Sequence, residues 1–154
     1  MSSITYSTLD SGYDFFITDK WNKKHHYKIF TFPLGIQQLS EAVEVDKTGS
    51  PLNSIQVLTD VTTDVEKAEL LLKAKIKRWI NRRHLKVIHG KQEIISDVVR
   101  GTLGWTNDLS DTSFNTVFEI DSKRITVENL IELLDPYGGF NFKLQLYDPS
   151  DEVD

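Results

Sequence analysis

Apolar and polar residues alternate with a period of two through the first third of the chain. Tyr13-Asp14-Phe15-Phe16-Ile17-Thr18 is aromatic and β-branched. In His26-Tyr27-Lys28-Ile29-Phe30-Thr31-Phe32, one face carries Tyr27, Ile29 and Thr31, and the other Lys28, Phe30 and Phe32. The polar run from Asp19 to Lys24 separates the two stretches, and together they predict a β-hairpin. Pro33 is expected to close the second strand, because proline donates nothing to a ladder. Ile36 to Val45 fits a short helix or a strand. Asp46 to Pro51 has the composition of a loop, and Ser54 to Leu58 reads as another strand.

The period then changes to 3.6. Thr63 is a good N-cap, and Glu66 three residues later completes a capping box, which predicts a helix from about Asp64 to Arg83. Val65, Ala68, Leu72, Ile76, Trp79 and Ile80 share one stripe roughly 120° wide, the expected core face. Acidic residues sit in the early turns and Arg78, Arg82 and Arg83 near the end, which complements the helix dipole.

Beyond the helix, Leu85 to Ile88 reads as a strand and Gly90 as a turn. Ile94-Ile95 and Val98-Val99 suggest strands with an interruption. Val117 to Ile120 is a strand that turns at Asp121-Ser122-Lys123. Thr126 caps a short helix from Val127 to Leu134, ended by Pro136, Gly138 and Gly139. Phe140 to Tyr147 alternates strictly, so Phe140, Phe142, Leu144 and Leu146 are expected to line the inner face of a half-buried strand. Asp148 to Asp154 reads as a frayed tail. The fold class implied is α+β: a mainly antiparallel sheet with one long amphipathic helix and one short C-terminal helix. Residues 1–154 are expected to form a single domain, the alternative being a β-rich part over 1–60 and a helix plus α+β part over 61–154.

Composition changes this picture little. Of 154 residues, 39% are hydrophobic and 27% charged, ordinary for a globular chain. The absence of cysteine excludes disulfides, thiolate metal sites and cysteine nucleophiles. With neither a signal-peptide pattern nor an 18-residue apolar run, the expected location is the cytoplasm, with no membrane contact.

Charge changes it more. The chain carries −5 overall, yet residues 73–92 hold eight basic side chains and no acid. The flanking blocks are acidic, with 10 acids against 6 bases before this segment and 13 against 4 after it. Lys73, Lys77, Arg78, Arg82, Arg83 and Lys86 are the candidate binding residues, for an acidic protein partner or a polyanion. The competing structural reading is that the acidic C-terminal block folds back and neutralises them.

Other chemistry finds no pattern. His84 and His89 are five apart, on opposite faces of a strand, and are read with His25 and His26 as surface or edge histidines rather than metal ligands. Glu128 and Glu132 share a helix side, which reads as a solvated face. There is no phosphate-binding glycine loop and no G-x-S-x-G. No catalytic residue, metal or cofactor is therefore assigned, and the oligomeric state is left open.

Arg100-Gly101-Thr102-Leu103-Gly104-Trp105 resembles the R-G-x-[IL]-G-W step of an uncharacterised bacterial family of unknown function. Ile120-Asp121, the Thr126-capped helix, Tyr137-Gly138-Gly139-Phe140 and Asp148-Pro149-Ser150-Asp151-Glu152 are similar to its ending. The resemblance covers about residues 98–154. Val127 stands where the pattern has an aromatic, and Gly138 where it has Glu. It implies a related fold and a bacterial origin, and no activity.

These readings make the chain a non-enzymatic interaction or accessory module of a bacterial cytoplasm, with the cationic helix as its contact surface. The alternative is a weak RNA or DNA binder through the same helix. A third reading is an enzyme whose site is assembled from scattered residues.

Overall fold

The computed structural model describes residues 12–153. Their contacts divide them into two units, the chain up to Asn81 with the segment from Tyr147, and Arg82–Leu146. The division falls after the long helix and not after residue 60, so that helix belongs with the N-terminal strands. The fold is α+β with antiparallel sheets, but the strands form three sheets of four, two and three strands rather than one. No helix among the described residues is long and apolar enough to cross a membrane.

In the first unit, β1 (Tyr13–Thr18), β2 (Lys24–Leu34), β3 (Gln37–Val45) and β4 (Pro51–Asp60) follow one another as an antiparallel meander. The ambiguous segment Ile36 to Val45 is therefore strand. Pro33 does not end β2, which runs on to Leu34. Among the described residues, pairing with β1 stops at Ile29 and β3 alone flanks the strand at Pro33, where proline is tolerated. Tyr27, Ile29, Ala42 and Ile55 line one face of the sheet and pack on Leu72, Ile76 and Ile80 of α1 (Val65–Ile80). Trp79 is half-buried against the same cluster. Each large aliphatic side chain removed from water here contributes about 1.5–3 kcal/mol.

Helix α1 departs from expectation in detail. Its N-cap is Asp64, whose side chain makes no capping hydrogen bond, so the box read at Thr63 and Glu66 is not the one used. The Thr63 carbonyl instead accepts a bond from Gln38 on β3. Val65, assigned to the stripe, is exposed. The helix ends at Ile80, three residues before Arg83.

In the second unit, β5 (Leu85–Ile88) and β6 (Lys91–Ile94) form a hairpin whose two turn residues, His89 and Gly90, both have positive φ. That is the turn geometry that matches strand twist. β7 (Thr102–Trp105), β8 (Thr116–Ile120) and β9 (Lys123–Thr126) form the third sheet, with Asp121 and Ser122 in the left-handed region at its tight turn. Thr126 Oγ1 accepts from the Asn129 amide and caps α2 (Val127–Leu134) as expected. Leu85, Ile94, Ile120, Ile125 and Leu133 make this unit's core.

Two C-terminal expectations fail. Val98-Val99 forms no strand, and neither does Phe140 to Tyr147. Phe140, Phe142, Leu144 and Leu146 are 68%, 93%, 78% and 71% exposed. Alternation records what a segment can pair with; it does not supply the neighbouring strand. The acidic tail, expected to fray, instead docks on α1.

Candidate functional site

The helical period spreads the cations of α1 around its circumference, and the fold treats them differently. Lys73 lies about 5 Å from the rings of Tyr13 and Phe15, at cation–π distance. Lys77, four residues on, shares its side of the helix and is exposed. Arg78 is half exposed and holds the Glu152 carboxylate at two points, Nε to Oε1 at 2.9 Å and Nη2 to Oε2 at 3.1 Å. That bond raises the Arg78 pKa still further.

Lys75 falls outside the six-residue apolar stripe, as Lys73 and Lys77 do, yet it does not face solvent. It lies three residues after Leu72, at the flank of the apolar stripe, and is buried. Its Nζ donates to the Gln56 carbonyl at 2.8 Å, the Asp151 carbonyl at 2.8 Å and the Ser150 carbonyl at 3.4 Å. Burial depresses its pKa, against the pull of Glu152 and Asp151. Lys75 thus pins the tail to the edge strand β4, and Arg78 pins it to the helix. Part of the cationic block is neutralised from within the chain.

The other three candidates, Arg82, Arg83 and Lys86, belong to the second unit. Arg82 is half-buried, while Arg83 and Lys86 are exposed. The six residues are therefore three on α1 and three beyond it, not one helical face.

Two histidines read as surface or edge residues are buried. His25 on β2 sits between carboxylates, Nε2 2.9 Å from Asp19 Oδ2 and Nδ1 2.8 Å from Glu44 Oε2. Asp19 Oδ1 also accepts the amides of Trp21 and Lys23, which shapes the β1–β2 turn. Glu44 Oε1 accepts from Asn53. Burial opposes a charge on His25, but the bonds to Glu44 and Asp19 outweigh it and raise its pKa. Burial likewise opposes the Asp19 charge, and the bonds from His25, Lys23 and Trp21 depress its pKa on balance. With a carboxylate oxygen 2.8 or 2.9 Å from each ring nitrogen, His25 presents no free nitrogen to a substrate or a metal. The cluster is structural.

His84 is the second. Its Nδ1 lies 3.0 Å from Asp121 Oδ1, and the Asp121 carboxylate also accepts the amides of His84 and Leu85. Nε2 is buried without a partner. A base needs its lone pair within reach of a substrate proton, and this nitrogen faces no solvent. A hollow of about 130 Å³ in the second unit is lined by Lys91, Glu93, Glu132 and Tyr137 among others. Ligand pockets run to about 300–1,000 Å³.

Neither cluster is visible as a motif. Asp19, His25 and Glu44 come from a turn and two strands, and only the strand register brings them together. The one motif that was visible proves partly architectural. A Cβ on Gly101 would collide with the Glu119 carbonyl oxygen, and one on Gly104 would come within 3.0 Å of Glu119 Oε1 and 3.2 Å of Val117 Cγ2. Both glycines let the chain lie close on β8. Trp105 has no such role, being 84% exposed.

Residues 10–81 match the family model described as Domain of unknown function (DUF7686), and residues 84–151 match the one described as Domain of unknown function (DUF7713). The second match contains most of the segment in which the resemblance was read, and the gap between the two falls where the contacts divide. No curated protein and no solved structure matches the chain.

Proposed function

We propose that the protein is a non-enzymatic interaction module that grips an acidic segment of a partner protein through the outward cations of α1, with Arg78 as anchor. The observation that carries this reading is the two-point fork of Arg78 on Glu152. A guanidinium already holding a carboxylate from an acidic segment has the planar geometry that a partner's Asp or Glu would need. Lys77 adds charge beside it, while Arg82, Arg83 and Lys86 belong to the second unit and are not part of this contact.

In this reading the tail is a resident competitor. A half-exposed pair of this kind contributes about 0.2–1 kcal/mol, so a partner displaces Glu152 at small cost. Lys75 is held by main-chain carbonyls and keeps the preceding residues in place while Glu152 leaves. The proposed location is the cytoplasm, in keeping with a chain that lacks cysteine.

The test is titration of a labelled peptide with the sequence of residues 148–154 into the wild type, Glu152→Gln and Arg78→Glu. Glu152→Gln should bind up to about fivefold more tightly than the wild type, the factor equivalent to ~1 kcal/mol. Arg78→Glu should lose binding. Equal binding by all three removes the proposal. Binding of single-stranded RNA or duplex DNA, with none of the peptide, favours the nucleic-acid reading instead.

A further inference from the structure

We infer that the segment Phe140–Leu146 is a donor strand that pairs with the open edge of β7 in a second copy of this chain, so that two copies exchange strands reciprocally. The donor has the pattern of a half-buried strand, with Phe140, Phe142, Leu144 and Leu146 alternating with Asn141, Lys143 and Gln145. It pairs with no strand among the described residues, and its apolar side chains stand in solvent.

The acceptor lies in the same unit. Among the described residues β7 is hydrogen-bonded to β8 alone, so its other edge is open. Leu103 pairs with Phe118 and Trp105 with Thr116, which puts Leu103 and Trp105 on the sheet face that carries Phe118 and Ile125. Helix α2 packs over β8 and β9 on that face. The face continues apolar at β7, where Leu103 is 49% and Trp105 84% exposed. A strand added there, with its phenylalanines and leucines on the same side, extends one apolar surface rather than creating a second. This is the geometry of β-augmentation, in which the main chain supplies affinity and alternate side chains supply specificity.

Area selects a second copy as the occupant. The four donor side chains and Trp105 leave roughly 700 Å² of apolar surface in water, at the ~150–250 Å² a large side chain carries. Two copies bring about 1,400 Å² together, inside the ~1,200–2,000 Å² of a stable interface. Each copy has one donor and one acceptor, so a two-fold pair satisfies both and closes. This surface uses none of the α1 cations, and its test is independent of theirs.

The experiment is the mass of the full chain in solution at micromolar concentration, by light scattering after size exclusion. The wild type should have twice the chain mass. Phe142→Asp, a spoiled donor, and Trp105→Asp, a spoiled acceptor, should each be monomeric, with unchanged far-ultraviolet circular dichroism. Mixed together they should associate more weakly than the wild type, because one donor–acceptor pair is intact and the other is spoiled on both sides. Amide exchange should slow over 102–105 and 141–145 in the dimer only. A monomeric wild type overturns the inference, as does a Phe142→Asp or Trp105→Asp variant that stays dimeric. Protection of both segments at monomeric mass also overturns it, by showing that the strand closes on its own edge.

Discussion

Both units bury a charge pair, His84 with Asp121 in the second, but they differ in what else they keep from or leave in water. The first buries charge and satisfies it: His25 lies between Asp19 and Glu44, and Lys75 under three carbonyls. The second leaves hydrophobic surface in water, with Trp105 on an open strand edge and a run of four phenylalanines and leucines unpaired. A buried ion pair is a poor source of net stability, but removing one partner is severe. An exposed apolar strand does the reverse, contributing nothing until something covers it. The contrast teaches where specificity is kept: inside the first unit, and at the surface of the second.

The sharpest way to break this contrast is at Glu44. Glu44→Ala leaves the buried His25 ring with one of its two carboxylates and should cost the first unit about 3–5 kcal/mol. Urea unfolding measures the loss, and faster amide exchange in β1 to β3 with β8 and β9 unchanged would locate it. The same cluster sets a pH window. His25 has a folded pKa above its ordinary 6.5, so its contribution is complete below that value and lost as pH rises through the folded one. Asp19 has a folded pKa below its ordinary 3.8, so its contribution is complete above that value and lost as pH falls through the folded one. Stability of the first unit should peak between these limits, and His25→Gln should remove the decline on the alkaline side. A flat profile in the wild type would show that the clamp stores no charge.

Gly101 tests the second unit. Gly101→Ala drives a methyl into the Glu119 carbonyl and should cost about 1–3 kcal/mol, with the loss confined to exchange in β7 and β8. Unchanged exchange there would show that the backbone can yield and that the glycine is not needed for close packing. The smallest effect belongs to the tail. Glu152→Gln removes one half-exposed ion pair and should lower stability by at most about 1 kcal/mol, less in high salt. A larger loss would make the tail part of the first unit's core and unavailable for displacement.

Elements with local signals were legible. Asp19–Lys24 announced the first hairpin, and Thr126 fixed α2 from its first residue, because a turn and a cap are decided within a few positions. The middle of α1 followed its stripe through Ala68, Leu72, Ile76 and Ile80, but not its ends. At the start Asp64 competed with Thr63 for the cap. What depends on partners far along the chain was not legible. Nothing near Phe142 says that no strand lies beside it, and no spacing relates Asp19, His25 and Glu44. Lys75 looked like its neighbours Lys73 and Lys77, and its burial comes from carbonyls contributed by Gln56 and the tail. Of the candidate site, the cationic block was plain in the sequence; which cations the chain keeps for itself was not.

The seat of Ser150 and Asp151 on Lys75 has a further consequence. The polypeptide leaves the first unit after Asn81 and re-enters it at Tyr147, so the 65 residues between are a folded insertion with both ends tied to one host. A folded insertion holds its ends at a fixed spacing and keeps the tail at high effective concentration beside its seat. If the insertion melts, the same residues become a random-coil tether, whose closure costs about 3–4 kcal/mol by the logarithmic law for flexible loops. The tail then docks less often, and the host loses the carbonyls that cover its buried amine. Chain connectivity alone therefore makes the docking of the tail depend on the second unit staying folded.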